Sequence, residues 1–354
     1  MLRFCRVGGF GLFLTLTACL VGCSEKPKEP AAPQPEAKAS TPEPTRPVEA
    51  APLRIAYSDW PGWVAWEIGI QKKWFEEEGV RVDFKWFEYV PSMEAFSAGK
   101  VDAVTMTNGD ALVTGSSGAP SVAILLNDYS NGNDMVVAKP GVKDMKALKG
   151  KKVGVEVGFV SHLLLINALK SVGLTDKDVT IVNVPTDQTP QLLKSGEVDA
   201  VVAWQPNSGQ ALTEVAGSRA IFTSADVPGI IYDVLSVNPK SLSERRGDWK
   251  KVVKVWFRIA DFLKHPENLD EAAKIMSARV GMDAAKYKEL MKGTFFLDLV
   301  GNQKALTEGE SLESVYFSDK VVDEFQVKND VYKKPADYKS YLDSSFVTEL
   351  AAAK

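Results

Sequence analysis

The chain has 354 residues, of which 45% are hydrophobic, and its 42 Lys and Arg against 46 Asp and Glu give a formal net charge of −4. This balance gives no support to nucleic-acid binding, which favours strongly basic domains. Only two His are present, which excludes a His-rich metal site, and the three Cys all precede residue 24, which leaves no disulfide framework downstream. We therefore predict no nucleic-acid partner, no bound metal and no cofactor.

The first residues have the pattern of an export signal. Arg3 and Arg6 precede an apolar run over residues 10–21, which is too short for a membrane-spanning helix. The run is followed by Cys23 in the letters LVGC, which resemble the bacterial lipobox, where the Cys is lipidated after cleavage. We predict a lipoprotein signal peptide over residues 1–22 and a protein anchored by Cys23 to the bacterial cell membrane, facing the periplasm or the cell exterior.

Residues 23–52 predict a lipid anchor followed by a tether. After Cys23 the chain is rich in Pro, Ala, Glu and Lys and has almost no large apolar side chains, so that it cannot bury enough surface to fold. A lipid on one residue holds a protein at a bilayer without spanning it. Roughly three hundred residues remain, which is enough for two lobes with substantial cores.

One phrase occurs twice in the chain: FSAGKVDAV at residues 96–104 and LKSGEVDAV at residues 193–201. Each copy has the pattern of a helix end, a Gly cap, a turn with an Asp and the start of a buried parallel strand. Polar residues follow each copy, and ligands of open α/β sheets bind beyond the carboxyl ends of strands. The repeat predicts two similar α/β lobes with a cleft between them.

Strands alternate with helices along both halves, which predicts mainly parallel sheets. We assign residues 53–134 and 237–354 to lobe 1 and residues 135–236 to lobe 2. Crossing segments near residues 133–139 and 232–238 would join the lobes as a hinge. The helical C-terminal segment has no sheet of its own, so we expect it to pack on lobe 1.

Several segments carry a family resemblance: YSDWPGW at residues 57–63, WFEEEGV at 74–80, LKGKKVGV at 148–155 and both copies of the repeat. They resemble the type II periplasmic solute-binding proteins of ABC importers, in the nitrate/sulfonate/taurine-like group. The resemblance covers nearly all of the chain after the tether. It implies an α/β fold of two lobes, capture of a small solute between them and delivery to an ABC permease in the membrane.

A narrower resemblance rests on WFEYVPSM at residues 86–93, NGDAL at 108–112 and NDYSNGND at 127–134. These segments look like the subgroup associated with urea carboxylase, an enzyme also linked to guanidine breakdown. The resemblance implies a small nitrogen compound as the solute.

The loops expected at the strand ends are strongly acidic and contain no Lys or Arg. A desolvated anion is usually matched by Arg, Lys or convergent N–H groups, and nearby carboxylates would oppose it. We therefore favour a cationic or hydrogen-bond-donating neutral solute over nitrate or a sulfonate. The carboxylates in these loops are Asp59, Glu88, Asp110, Asp128, Asp134, Glu156 and Asp187.

Some of these acids have a purely structural alternative. Asp59, Asp110 and Asp187 stand where helix N-caps belong, and an Asp is common at such positions. Capping and ligand contact are equally plausible for each of the three. Glu88 and Glu156 follow strands, where contact with a ligand is favoured.

Aromatic residues fall in the same loops. Trp60, Trp63, Tyr89 and Trp204 could stack on a planar cation such as guanidinium, which gains roughly 0.5–2 kcal/mol per contact. His162 stands near a helix start, where it could donate to a ligand or serve the structure alone. The predicted ligand-binding residues are Asp59, Trp60, Trp63, Glu88, Tyr89, Asn108, Asp110, Asn133, Glu156, His162, Trp204 and Gln205.

The preferred hypothesis is a monomeric solute-binding lipoprotein that captures a guanidine-like or urea-like nitrogen compound. One alternative is a receptor for nitrate, sulfonate or taurine-type anions. Another is a pyrimidine-synthesising enzyme, because a family of that kind shares the scaffold, although export and the scarcity of His and Cys argue against it. A sensor or a carboxylate metal site is a further alternative, but the abundant indoles fit an organic ion better.

Overall fold

The computed structural model describes residues 51–353, so the signal peptide, Cys23 and nearly all of the tether lie outside the described residues. Eleven strands form two sheets within this range. They are β1 (Leu53–Tyr57), β2 (Val82–Trp86), β3 (Ala103–Thr107), β4 (Val122–Ser130), β5 (Met135–Ala138), β6 (Lys152–Val155), β7 (Thr180–Asn183), β8 (Ala200–Ala203), β9 (Arg219–Thr223), β10 (Tyr232–Val237) and β11 (Thr294–Phe296).

The two sheets share one strand order. The first runs β11-β4-β10-β3-β1-β2 and the second runs β9-β5-β8-β6-β7, so that β4-β10-β3-β1-β2 corresponds to β9-β5-β8-β6-β7. The predicted α/β fold of two similar lobes is confirmed. We use first lobe and second lobe for the parts of the chain built on these two sheets.

Most strands of each sheet run in one direction, as expected, but the two strands that cross between the lobes insert antiparallel into the middle of the sheet they enter. β5 pairs antiparallel with β8 and β9, and β10 pairs antiparallel with β3 and β4. The remaining central pairs, β1 with β2 and β3 and β6 with β7 and β8, are parallel. Both sheets are therefore mixed.

The predicted lobe boundary at residue 236 is wrong. β10 contains residues 232–236 and is hydrogen-bonded between β3 and β4, so that it belongs to the first sheet. The last strand of the second sheet, β9, ends at Thr223. The return crossing therefore lies between Thr223 and Tyr232.

The repeated phrase supplies the same interaction to both lobes. The backbone N–H groups of Arg54 at β1 and Lys152 at β6 donate to the carboxylates of Asp102 (2.8 Å) and Asp199 (3.0 Å). The Asp102 and Asp199 N–H groups donate back to the Arg54 and Lys152 carbonyls at 2.8 Å. The Asp in each copy thus aligns β3 or β8 with its parallel neighbour, which explains why the chain uses the phrase twice.

The helices surround both sheets, and those that follow β10 pack mainly on the first lobe, where Trp249, Val252 and Trp256 join the core of β1 and β4. None of the helices in residues 51–353 combines the length and the apolar character that a membrane span requires. The helices are α1 (Pro61–Val64), α2 (Trp66–Gln71), α3 (Trp74–Glu77), α4 (Tyr89–Ser97), α5 (Asn108–Ser116), α6 (Val160–Ser171), α7 (Thr189–Ser195), α8 (Asn207–Glu214), α9 (Pro239–Glu244), α10 (Arg246–Lys264), α11 (Leu269–Val280), α12 (Ala284–Met291), α13 (Leu299–Ala305), α14 (Val315–Lys328) and α15 (Ser345–Ala352).

One buried amide joins a C-terminal helix to the first sheet. Asn302 in α13 is fully buried, its Nδ2 donates to the Leu126 carbonyl at 2.9 Å, and its Oδ1 accepts from the Leu126 N–H at 2.9 Å.

We expect Asn302→Ala to lower the free energy of unfolding by about 2–4 kcal/mol, because it removes partners from two buried backbone groups. Urea denaturation measures the change. The exposed neighbour Gln303→Ala should change it by less than about 0.5 kcal/mol, and equal stability of the two variants would contradict this role.

Candidate functional site

A small cavity lies between the lobes at the carboxyl ends of the strands. Its volume is about 10 Å³, which is close to the minimum that one water molecule needs. A solute held there must therefore be very small or must widen the space as it enters. The residues that line this cleft cavity are Trp60, Trp63, Tyr89, Thr107, Asp134, Val160, Trp204, Ile231 and Asp233.

Aromatic rings from both lobes form the walls of the cleft cavity. The Trp63 and Tyr89 rings stack with centroids 5.0 Å apart and an interplanar angle of 25°. Trp60 meets Trp63 edge-on at 6.5 Å, and Trp204 from the second lobe meets Tyr89 edge-on at 5.2 Å. The four aromatic residues that were predicted from separate loops therefore lie around one space.

Two carboxyl groups line the cavity, and two more lie directly behind its aromatic walls. Asp134 and Asp233 are lining residues. Asp128 Oδ1 accepts a hydrogen bond from the Trp60 indole at 3.0 Å, and Asp110 Oδ2 accepts one from the Tyr89 hydroxyl at 2.5 Å. All four side chains are buried, and no Lys or Arg is among the lining residues.

Asp128 and Asp233 form a directly opposed pair. Asp128 lies within β4 and not in a loop as expected, because β4 extends to Ser130 through its pairing with β10 and β11. On the antiparallel neighbour β10, Asp233 is the cross-strand partner of Asp128. A hydrogen bond between the two carboxyl groups accompanies this pairing, so that Asp128 and Asp233 share a proton.

Burial makes these carboxyl groups hold protons more tightly than ordinary Asp side chains. It raises the pKa of Asp110 to about 6 and the pKa of Asp134 to about 7. It likewise raises the pKa of Asp128 to about 7, although the Trp60 hydrogen bond opposes the change. The pKa of Asp233 rises further, because the charges of Asp128 and Asp134 add to burial.

A wider outer groove lies on the solvent side of Tyr89 and Trp204, which line both spaces and separate them. Its volume is about 320 Å³. Arg279 of α11 lines a neighbouring part of the cleft, where its guanidinium lies over Trp86 at 4.5 Å and its Nε is 3.4 Å from Glu67. The outer groove is lined by Asp59, Glu88, Tyr89, Val90, Pro91, Glu94, Glu156, Pro185, Thr186, Asp187, Trp204 and Asn207.

The predicted carboxylates Glu88 and Glu156 lie in the outer groove and not in the cleft cavity. Glu88 is exposed at the rim of the groove. Partial burial of its carboxyl group and the nearby charges of Asp59 and Asp187 raise its pKa. Glu156 accepts a hydrogen bond from the Thr186 hydroxyl at 3.0 Å, and burial raises its pKa to about 7. These two residues stand where a solute would pass on its way to the cavity.

The capping alternative is wrong for all three Asp residues. The N-cap of α5 is Thr107, whose hydroxyl accepts from the Asp110 N–H. The N-cap positions of α1 and α7 belong to Trp60 and Gln188. Asp59 instead accepts hydrogen bonds from the second lobe, from Trp204 Nε1 at 3.4 Å and from Asn207 Nδ2 at 3.2 Å.

The structure uses three of the predicted amide ligands for other contacts. Asn108 donates to Ser318 and Asp319 of α14 and accepts from the Tyr232 N–H. Asn133 donates to the Leu290 carbonyl and to Thr294 Oγ1, and Gln205 Oε1 accepts from the Gly209 N–H. We no longer propose these amides as ligand contacts, because none lines the cleft cavity.

His162 also lies away from the cavity. Its ring is buried at the start of α6 and meets Phe325 of the first lobe edge-on at 5.8 Å. Burial lowers the pKa of His162, which favours the neutral ring. The position fits a structural contact between the lobes better than a ligand contact.

Sequence reasoning missed Asp233 and left Asp134 out of the predicted site. Asp233 stands inside the mainly apolar strand Tyr232–Val237. An unpaired carboxylate is costly to bury, so an acid in such a run is a usable signal. The sequence pattern assigns this strand only to the hinge, which leaves Asp233 out of the predicted site.

Sequence comparison assigns the family. The sequence model of the NMT1-like family matches residues 46–277, and the chain belongs to that family. A provisionally named aliphatic sulfonates-binding protein of Bacillus subtilis (strain 168) is 28% identical over 79% of this chain and 82% of its own length.

Structural comparison shows the fold. The periplasmic aliphatic sulphonate binding protein of Escherichia coli has a TM-score of 0.69 at 18% identity, with 84% of this chain and 99% of that chain covered. The periplasmic nitrate-binding protein of Synechocystis PCC 6803 also has a TM-score of 0.69, at 13% identity, with 86% and 89% covered. The fold is that of the periplasmic binding proteins, and the chain is a solute-binding protein of the ABC-importer type.

A glycine maintains the close approach of α1 to Asp128. A Cβ added at Gly62 would lie 1.7 Å from Asp128 Oδ2 and 2.7 Å from Trp60 Nε1. We expect Gly62→Ala to displace the Asp128 carboxyl, to lower the free energy of unfolding by about 1–3 kcal/mol and to weaken solute binding. Thermal unfolding and calorimetry measure the two effects. Gly247→Ala, with open space around its Cβ in α10, should not destabilise the protein. A Gly62→Ala protein that matches this control would contradict the packing argument.

Proposed function

We propose that this protein is a receptor for a very small, planar, nitrogen-rich cation of the guanidinium type, which it captures in the cleft cavity for an ABC permease. The observation that carries the proposal is the pair of buried carboxyl groups that line the aromatic-walled cavity. Asp134 and Asp233 both line it, and no Lys or Arg is among the lining residues. Buried acceptors of this kind are costly unless a donor satisfies them, and guanidinium offers several N–H donors in one plane.

The aromatic walls support the same solute. A planar cation gains from contact with ring faces, and the gain increases when the site excludes water. Trp60, Trp63, Tyr89 and Trp204 surround a space with room for about one water molecule, so a planar cation must widen the space as it enters. An alkali metal ion would also meet the carboxylates but would not use the rings as fully as a planar organic cation.

The names of relatives favour an anion, and the charge of this site opposes one. The comparison proteins are named for sulfonates and nitrate. In this chain a sulfonate or nitrate in the cleft cavity would meet Asp134 and Asp233, with no Lys or Arg among the lining residues. Like charges in a desolvated site repel strongly, so an anion would bind only if these carboxyl groups were protonated.

Urea is the second candidate, and one specific group favours it. The Trp63 indole N–H is buried and has no hydrogen-bond partner in the described structure. Guanidinium has no acceptor for this donor, whereas the urea carbonyl does. Two carboxyl groups, Asp134 and Asp233, line the cavity against this single donor, so guanidinium remains the first choice.

The remaining parts of the proposal concern placement in the cell. We propose that Cys23 is lipidated and anchors the protein, as a monomer, to the bacterial cell membrane next to the permease. Residues 1–22 would be removed on export, and residues 24–52 would tether the binding lobes. We further propose that the protein releases its solute unchanged, so that purified protein should not turn over any bound nitrogen compound.

Calorimetry with guanidinium, urea, nitrate and taurine tests the choice of solute. We expect guanidinium to bind best, and Asp134→Asn and Asp233→Asn to weaken its binding at least about tenfold, because each removes a carboxyl group that can become negatively charged beside the cation. Glu94→Gln is the matched control, since it removes one exposed carboxylate from the outer groove. Tight binding of nitrate or taurine without binding of guanidinium would overturn the proposal, and tighter binding of urea than guanidinium would select the second candidate.

The buried carboxyl groups also predict how binding depends on pH. Their raised pKa values mean that a cation must displace protons, so affinity for guanidinium should rise between about pH 5 and pH 8. Calorimetry in buffers of different ionisation enthalpy measures the protons released. An affinity that is flat or falls over this range would contradict cation binding at these groups.

The affinity for guanidinium should rise with pH, whereas the stability of the solute-free protein should fall. A carboxyl group with a raised folded-state pKa stabilises the fold below its unfolded pKa, and this contribution is lost as pH rises through the folded value. For Asp128 and Asp134 this stability is lost between about pH 4, near the unfolded pKa, and about pH 7, near the folded pKa. The melting temperature of the solute-free protein should therefore fall across this range, and Asp233→Asn should reduce the slope. An unchanged slope in that variant would show that the stability change arises elsewhere.

A further inference from the structure

We infer that Asp59 is not a ligand contact but a positioning residue that holds Trp204 of the second lobe in place and so keeps the cleft cavity closed. The inference deepens the proposed function, since it concerns how the same site retains its solute. We call Asp59, Trp204 and Asn207 the interlobe latch. These three side chains form hydrogen bonds between the two lobes at the outer groove.

Asp59 belongs to the first lobe, immediately after β1, and both of its hydrogen-bond donors from the opposite wall belong to the second lobe. Trp204 Nε1 donates to Asp59 Oδ1 at 3.4 Å, and Asn207 Nδ2 donates to Asp59 Oδ2 at 3.2 Å. Ser58 Oγ donates to Oδ1 from the first lobe at 3.1 Å, which fixes the carboxylate for the contact. Each carboxylate oxygen of Asp59 thus accepts a hydrogen bond from a different side chain of the second lobe.

Trp204 is the part of the latch that closes the cavity. It follows β8 and lines both the cleft cavity and the outer groove, as Tyr89 does. Its ring meets the Tyr89 ring edge-on at 5.2 Å, and Tyr89 stacks on Trp63. Separation of the lobes would break both Asp59 hydrogen bonds and remove Trp204 from Tyr89, which would join the two spaces.

Asp59 itself lies on the groove side of this aromatic pair. It lines the outer groove but is not among the residues that line the cleft cavity. A solute within the cavity is therefore separated from Asp59 by the rings of Tyr89 and Trp204. Asp59 can affect retention through Trp204, whereas Asp134 and Asp233 can meet the solute directly.

Two neutral substitutions separate this role from electrostatics. Trp204→Phe keeps a ring against Tyr89 and removes the indole N–H, and Asn207→Ala removes the second donor. Neither changes the charge of the cleft. Asp59→Asn keeps one carbonyl acceptor and should rescue part of the function that Asp59→Ala loses, which a purely electrostatic role would not allow. Glu94→Gln controls for loss of an outer-groove charge.

The first measurement needs no solute. Residues 51–354 contain no Cys, so pairs of cysteines for spin labels can be introduced at exposed Ser97 of α4 in the first lobe and Gln191 of α7 in the second lobe. Distance distributions between the labels report separation of the lobes. We expect Trp204→Phe and Asn207→Ala to shift the distribution towards longer distances, while Glu94→Gln leaves it unchanged.

The second measurement uses guanidinium as the probe in stopped-flow release. Loss of one hydrogen bond of the latch should raise the release rate roughly fivefold to tenfold, with less than a twofold change in the association rate. Label distances that match the parent protein in both neutral variants would overturn the inference. Longer distances in a protein that binds no guanidinium would support the latch and reject only the proposed solute.

Discussion

The burial of four carboxyl groups against aromatic rings is the constraint on which the interior of the cleft depends. Asp110, Asp128, Asp134 and Asp233 are buried, and none of the residues that line the cleft cavity is basic. Such an arrangement must hold protons, accept a cation or weaken the fold. The neighbouring hydrogen bonds from Trp60 and Tyr89 satisfy only part of the carboxylate oxygens. The acceptor capacity that remains is the reason why we propose a binding site in this cavity.

The scaffold and the chemistry of its site separate clearly in this chain. The fold matches proteins named for sulfonates and nitrate at TM-scores near 0.69, with identities of 18% and 13%. A fold does not specify a solute, because specificity resides in side chains that the sheet presents at its edge. Here Asp233 and Asp134 place two carboxyl groups at that edge, with no Lys or Arg among the residues that line the cavity. The solute that we propose differs in charge from those named for the comparison proteins, and the difference depends on side chains at a few loop and strand-end positions.

Local patterns predicted the lobes, the repeat and the aromatic walls. FSAGKVDAV and LKSGEVDAV lead to equivalent strands, because the Asp in each phrase fixes the same pairing with β1 or β6. Trp60, Trp63, Tyr89 and Trp204 could be predicted because they fall in the loops at the strand ends, where an open α/β sheet binds its ligand. The roles of Asn108 and Asn133 could not be predicted, because their partners Asp319 and Leu290 are distant in sequence. The antiparallel insertion of β5 and β10 escaped prediction for the same reason.

The topology places the charge of the site at the hinge. Asp134 immediately precedes β5, the strand that enters the second lobe, and Asp233 is the second residue of β10, the strand that returns to the first. Each crossing therefore ends in a carboxyl group that lines the cleft cavity. A rotation of the lobes about these crossings would change the surroundings of both carboxyl groups at once. A cation bound between Asp134 and Asp233 would thus lie next to the crossings, whereas the contact of Asp59 with Trp204 lies on the groove side. Under the proposal and the inference above, the residues that meet the charge of the solute therefore differ from those that keep the cleft closed.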